Sequence, residues 1–408
     1  MFQETVIRGL TFRPARFCAP MAGLTHCSFR RLAAEFGGCG AFFTEMLSAP
    51  RLLHEHPRRS PAIRRSPAEP RLICQLMARE GDPLAAAIDR LGAANPDGLD
   101  LNLACHAPLI RKARAGSRLY DDRPALQRVL DAVRRAWPGL LTVKIRLGHE
   151  APAWEAVFAE RLRLFEDSGV DAVILHPRFF EDKFKRRSRQ ERLAWAASLT
   201  RLPLIASGDI TGPASVRSAA AALQSACAIM VGRMAIAQPW LFAAWDRPLA
   251  VDRAAVWFRL CDYLEADFPA PQALARLKIF TPYYARNFLF GHTLAVAVQN
   301  AASLAQARDR AGAFFQTAPP LAAEMTAKVF RAAIDQLARD RVLETIKPSV
   351  YYQGELIQMG EVIVGTPASP AGEREQDDHR HETGASSDWR APAGAAGYGT
   401  EDGGDAHG

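Results

Sequence analysis

The chain has 408 residues, 49% hydrophobic and 23% charged, the mix of a soluble globular protein with room for one large domain and a smaller one. No run of eighteen apolar residues and no basic-then-apolar leader is present, so neither a membrane-spanning helix nor a secretory signal is expected; seven cysteines without a CxxC pair argue against a disulfide framework or zinc ribbon and for a reducing, cytoplasmic compartment. The net charge is +7, but residues 366–408 hold nine acidic and three basic residues, so residues 1–365 carry +13, which suits RNA or DNA as a partner and equally an Arg-rich solvated surface.

In chain order, eight short apolar runs read as buried parallel strands: FCAPMA (17–22), AFFTEM (41–46), LICQLM (72–77), LDLNLA (99–104), LTVKIR (141–146), AVILHP (172–177), PLIASG (203–208) and AIMVGR (228–233). Helical patterns follow most of them. PLAAAIDRLGAA, PALQRVLDAVRRAW, WEAVFAERLRLFEDSG and PASVRSAAAAL are the clearest, and three open on a proline whose missing N–H does no harm there. Strands alternating with helices over residues 1–248 predict a (β/α)8 TIM barrel. An open doubly wound sheet is the alternative, but the Gly-rich turn expected after its first strand is absent. Beyond WDRPLAVD, the stretches RAAVWFRLCDYLEADF, QALARLKIFTPYYARNF and LAAEMTAKVFRAAIDQLARDRVL carry apolar residues at helical spacing and predict a small helical domain over 249–350. Residues 366–408 are Gly, Ala, Ser, Pro and acid, so a disordered tail is expected.

Such a barrel carries its active site at the C-terminal ends of its strands. The first run ends in Pro20, Met21 and Ala22; the third carries Gln75; the fourth delivers Asn102 and then Cys105. The fifth holds Lys144 and Arg146, two apart and so on one side of the strand, and the sixth ends in His176 and Arg178. The seventh ends in Ser207, Gly208 and Asp209, and the eighth in Gly232 and Arg233. A buried lysine needs an anion or a strong acceptor. Glycine after the last two strands lets the backbone approach a phosphate, and Arg233 adds a fork of donors, so a phosphate-bearing cofactor is expected, with no metal site. The basic runs RKAR (111–114) and KFKRRSR (183–189) follow strands four and six on the same side and would draw in an RNA backbone. The six cysteines other than Cys105 read as packing thiols.

The stretches APMAGLTHCSFRRLAAEFG, ICQLM, LDLNLAC, TVKIRLG, LHPR, IASGDI and IMVGRMAIAQPWLF, in this order over about residues 17–242, resemble the flavin-dependent tRNA-dihydrouridine synthases. The resemblance implies a barrel that binds FMN, a helical domain that helps hold tRNA, and reduction of the flavin by NADPH. Hydride then passes to C6 of a uracil while a cysteine protonates C5. By that resemblance Pro20, Met21 and Ala22 line the flavin, Gln75 bonds its ring, Lys144 stabilises charge near N1 and His176 touches the cofactor. Ser207, Gly208, Asp209, Gly232 and Arg233 hold its phosphate. Cys105 is the acid, and Asn102, Arg146 and Arg178 face the uracil. The implied partner is tRNA, with no membrane and no stable protein partner, and the chain is expected to be a monomer.

The chemistry is coherent on its own terms. Hydride addition at C6 leaves enolate character at C5, which needs a proton donor on the opposite face. A uracil in folded tRNA must leave its stack to be reached. Two departures stand out. The family's cysteine is usually followed directly by proline, whereas here CHAP places His106 and Ala107 first, so His106 competes with Cys105 as proton donor. Ser207 stands where asparagine is more usual. Two other readings remain: a flavin reductase of a free pyrimidine or small enone, and an RNA-binding pseudoenzyme on the same fold.

Overall fold

The computed structural model describes residues 1–182 and 186–322 with their side chains, and the backbone of strands within 341–365. The tail over 366–408, Lys183 and Lys185 of the second basic run, and residues 323–340 of the last expected helix lie outside the described residues. The chain divides into two compact units, Met1–Lys328 and Val329–Gly408.

In the first unit eight parallel strands close on themselves: β1 (Arg16–Cys18), β2 (Ala41–Phe43), β3 (Leu72–Met77), β4 (Gly98–Asn102), β5 (Leu140–Gly148), β6 (Ala172–Phe179), β7 (Leu204–Ser207) and β8 (Ala226–Val231). Each pairs with the next in sequence, and β8 pairs with β1 to complete the ring. This is a (β/α)8 barrel. β5 and β6 are buried along their whole length, as strands wrapped by helices must be. Helices follow the strands: α1 (Cys27–Phe36), α2 (Leu84–Gly92), α3 (Arg123–Ala136), α4 (Trp154–Asp167), α5 (Arg192–Ser198), α6 (Pro213–Ser218) and α7 (Arg233–Ala237). Register sets the site. Gln75 lies beside Asp100 and Asp100 beside Thr142, one level above them Asn102 lies beside Lys144, and above that Arg146 lies beside His176.

Four helices continue the same unit: α8 (Arg253–Asp267), α9 (Ala270–Tyr284), α10 (His292–Gln299) and α11 (Leu304–Gln316). Side-chain oxygens of Asp252 and Ser303 accept the first free N–H groups of α8 and α11. Pro282 sits inside α9 and cannot donate to the carbonyl of Lys278 one turn earlier. Gln299 of α10 fills that gap, its Nε2 donating to the Lys278 carbonyl at 2.8 Å. Asn287 ties these helices to the barrel: its Nδ2 donates to the carbonyls of Ala237 and Tyr284, and its Oδ1 accepts from Gln238. No described helix is long and apolar enough to cross a membrane.

The expected helix ending at Leu343 is not continued in the described residues. Arg341–Lys347 is a strand paired antiparallel with Glu361–Gly365, and Val350–Tyr352 pairs with Glu355–Gln358. These segments are rich in β-branched residues, which favour extended backbone over helix.

One ion pair deep in the first unit is fully enclosed. Arg30 of α1 and Glu69, in the connection between β2 and β3, are both 0% exposed at their side chains. Arg30 also donates to the carbonyls of Thr25 and Arg64, while Glu69 accepts from the Ser66 N–H. Removing one partner strands a buried charge, so Glu69→Ala should cost about 3–5 kcal/mol. Arg13→Ala, at an exposed pair, should stay within about 0.5 kcal/mol. Urea unfolding of the two variants reads the contrast.

Candidate active site

The C-terminal ends of the strands surround a cavity of about 490 Å³, within the size range of cofactor sites. Each residue named from the sequence lines it. Pro20, Met21 and Ala22 come from the loop after β1, Gln75 from β3, Asn102 and Cys105 from β4 and the turn beyond it. Lys144 and Arg146 come from β5, His176 and Arg178 from β6, Ser207, Gly208 and Asp209 from β7 and its turn, and Gly232 and Arg233 from the end of β8.

Beneath the cavity lies a buried polar network that starts at Asp100. Its carboxylate accepts from Gln75 Nε2 at 2.7 Å and from Thr142 Oγ1 at 2.6 Å. Gln75 Oε1 in turn accepts from Asn102 Nδ2 at 2.9 Å, and Asn102 Oδ1 accepts from the Cys105 N–H at 3.0 Å. Burial pushes the Asp100 carboxyl up, while its two hydrogen bonds and Lys144 hold it down. Burial pulls the Lys144 ammonium below its ordinary range, and Asp100 opposes that. Among the described residues the Lys144 ammonium has no hydrogen-bond partner, and it faces the cavity.

A second network organises the other wall. Asp209 accepts from Arg178 Nη2 at 2.8 Å on both carboxylate oxygens, from the Ser188 N–H at 2.7 Å and from Arg233 Nη2 at 3.4 Å. Arg178 also donates to the Arg186 carbonyl at 2.7 Å and to His176 Nε2 at 3.0 Å. Because an arginine can only donate, His176 accepts through Nε2 and carries its proton on Nδ1. Burial, then Lys144 and three arginines, keep its pKa well below 6.5. Gly208 sits at φ +100°, and a Cβ there would lie 2.4 Å from the His176 ring, so glycine is required on both counts. Arg178 is thus committed to Asp209 rather than held open.

The CHAP turn is anchored from behind. The Cys105 carbonyl accepts from the Ser117 N–H at 2.9 Å. Gly116, at φ +59°, passes so close that a Cβ would meet that carbonyl at 2.6 Å. His106 stacks on Phe180 with ring centroids 5.2 Å apart and planes 11° apart, and its Nδ1 lies 3.1 Å from Ser117 Oγ. Burial, Arg111 and His149 lower its pKa. Cys105 lines the cavity and His106 does not. Burial pushes the thiols of Cys18 and Cys74 up to about 12 and those of Cys27 and Cys227 up to about 11, and raises Cys39 and Cys261 as well. Arg111 and Arg114 of the first basic run pair with Asp121 and Asp122, and Arg186 and Arg189 of the second with Asp182 and Glu150.

Sequence reasoning passed over Asp100, although an aspartate inside an apolar strand, two residues before Asn102, must find a buried partner. It also passed over Met46, Met230 and Met234, which add apolar wall, and over Tyr283 and Arg286, which reach the cavity from beyond the barrel. Nothing local in TPYYARNF separates a core tyrosine from a lining one.

Residues 17–263 match the family model described as dihydrouridine synthase. The chain belongs to the dihydrouridine synthase family. It is 30% identical over 231 residues to a probable tRNA-dihydrouridine synthase of Helicobacter pylori, covering 55% of this chain and 68% of that one. It is 31% identical over 234 residues to tRNA-dihydrouridine synthase B of Pseudomonas aeruginosa, covering 57% and 68%. To tRNA-dihydrouridine synthase B of Serratia marcescens it is 32% identical over 225 residues, covering 55% and 66%.

The site of this dihydrouridine synthase has the chemistry to hold a flavin. Among the described residues five cations (Lys144, Arg146, Arg178, Arg233 and Arg286) line the cavity against the single carboxylate of Asp209, which favours an anionic ligand. Pro20, Met21, Met230 and Met234 offer an apolar wall for a flat ring. Among the described residues no group of three or more His, Cys, Asp or Glu could hold a metal ion.

His176 makes the site sensitive to acid. Its folded-state pKa lies below the unfolded value, so the stability it contributes is present above about pH 6.5 and lost as pH falls through the folded value. Thermal unfolding between pH 7 and pH 5 should therefore show a steeper loss for the wild type than for His176→Gln, whose amide can still accept from Arg178. The buried His26 contributes equally to both proteins.

Proposed function

We propose that this dihydrouridine synthase reduces the C5–C6 double bond of a uridine in tRNA, using FMN and NADPH, with Cys105 as the proton donor. The observation that carries the reading is that Cys105, alone among the described thiols, lines a cation-rich cavity built by the segment that matches the family. Bound there, the flavin supplies to uracil C6 the hydride that it receives from NADPH.

The protein's own residues do the rest. Cys105 delivers a proton to C5, and Asn102 holds the backbone that carries it by accepting from the Cys105 N–H. Asn102 has its amide N–H on Gln75 and its carbonyl on Cys105, so it acts on the uracil chiefly by fixing the acid. Lys144 meets negative charge on the flavin ring, and Gln75, oriented by Asp100, bonds that ring. The flavin phosphate is taken by backbone N–H groups around Ser207–Asp209 and Gly232–Arg233 and by the Arg233 guanidinium. The Asp209 carboxylate does not bind phosphate itself; it aims Arg178 and Arg233. The exposed pairs of the basic runs, Arg114 with Asp122 and Arg186 with Glu150, can exchange their surface carboxylates for RNA phosphates at little cost, because exposed ion pairs are weak, whereas the buried Asp182 keeps Arg189. His106 supports the turn from the Phe180 side and leaves protonation to Cys105.

Mass spectrometry of tRNA from a strain lacking the gene should show one dihydrouridine lost, and unchanged tRNA would refute the assignment. In the purified protein, Cys105→Ala should slow oxidation of the reduced flavin by tRNA by about 10²–10⁴-fold. Flavin reduction by NADPH should continue in that variant. Loss of activity in His106→Ala with retention in Cys105→Ala would transfer the acid role to His106.

A further inference from the structure

The cavity has one contribution from outside the barrel, and it is chemically unlike the rest. Among the described residues Tyr283 is the only phenylalanine, tyrosine or tryptophan in the lining, and Arg286 accompanies it. Both lie beyond residue 263, where the family match ends. The Arg286 guanidinium stands 5.4 Å from the Tyr283 ring centroid, so an aromatic face and a cation are already assembled side by side.

Helix register explains why Tyr283 is available. Tyr284 follows Phe280 by four residues and precedes Phe288 by four, stacks with Phe280 at 5.2 Å and is 0% exposed, its hydroxyl donating to the Arg253 carbonyl. Tyr283 is turned one residue off that core face. It falls instead on the stripe Arg276, Ile279, Tyr283 and Arg286, spaced three, four and three. That stripe faces the loop after β1. Arg276 donates to Glu45 at 2.6 Å, Glu45 accepts from the Gly23 N–H at 2.9 Å, and a Cβ on Gly23 would stand 3.1 Å from Ile279. The barrel loop and α9 are thus held together at the rim, with Tyr283 half-buried and Arg286 exposed.

Resting on the tRNA reading above, we infer that Tyr283 and Arg286 form a nucleotide subsite of the RNA substrate, the ring stacking on a base extruded with the target uridine and the guanidinium taking its phosphate. The flavin's needs are met from the strand ends, whereas a polymer must also be received at the rim. A uridine drawn out of its stack leaves unstacked bases beside it, and single-stranded bases are held by aromatic faces and arginine planes. Among the described residues the barrel-borne lining offers no phenylalanine, tyrosine or tryptophan face.

The experiment uses the flavin-loaded full chain with tRNA. Tyr283→Ala should raise the KM for tRNA, and the Kd from fluorescence anisotropy, about tenfold. Its kcat should change less than about twofold, and Tyr283→Phe, which keeps the ring, should recover the affinity. Arg286→Ala should flatten the log Kd against log salt slope by about 0.7–1. Wild-type KM in Tyr283→Ala, or a salt slope unchanged in Arg286→Ala, overturns the inference. So does slowed flavin reduction by NADPH in Tyr283→Ala, which would assign the ring to the nicotinamide donor. A wild-type protein that leaves tRNA unreduced removes the underlying reading itself, a result separable from all of these.

Discussion

The Asp100 carboxyl is the fixed point of this site. It is fully buried inside the barrel, where an unpaired polar group would cost several kcal/mol, and its two oxygens are spoken for by Gln75 and Thr142. From Gln75 the chain of bonds passes to Asn102 and ends on the amide of Cys105. Three adjacent strands are therefore oriented by one buried group, and its charge answers that of Lys144. Satisfied throughout, such a network rigidifies; missing one member, it would leave several donors stranded. The backbone that carries the thiol is thus tied to a network beneath the cavity floor.

The opposite wall is likewise organised by one carboxylate, here bonded directly to cations. Asp209 collects Arg178, Arg233 and the Ser188 N–H, and so joins the ends of three strands. Arginines that would repel one another are held close by a shared carboxylate, and the cavity still keeps an excess of positive charge. Burial, reinforced by that excess, keeps His176 neutral, which preserves its acceptor nitrogen for Arg178. Anion affinity and a neutral imidazole are consequences of one arrangement.

The barrel could be read from eight short apolar runs, several rich in Val, Ile and Leu, because parallel strands buried on both faces need little else in their sequence. Strand-end polar residues could be read by the same argument, since register alone brings Asn102 beside Lys144 and Arg146 beside His176. What escaped was whatever depends on a partner distant in the chain. Asp100 looks like a solitary acid until Thr142 and Gln75 are beside it. Tyr283 and Tyr284 are indistinguishable as letters, and only packing sends one into the core and the other to the cavity. The helical pattern near residue 341 yields to strand pairing with residues near 361, another partner invisible locally. The CHAP turn is another such case: its anchors at Ser117, Gly116 and Phe180 all come from residues distant from the motif.

Glu45 bears on how this protein can be taken apart. It lies inside the stretch that matches the family, yet it is ion-paired to Arg276, which lies outside that stretch, and the same carboxylate holds the loop that carries Met21 and Gly23. A chimera joined at the family boundary, with this barrel and another protein's helices, would inherit the acid without its base. The loop after β1 would then be held by a carboxylate that has lost its own partner, although no residue of the barrel had been altered. The modular seam and the mechanical seam of the molecule do not coincide.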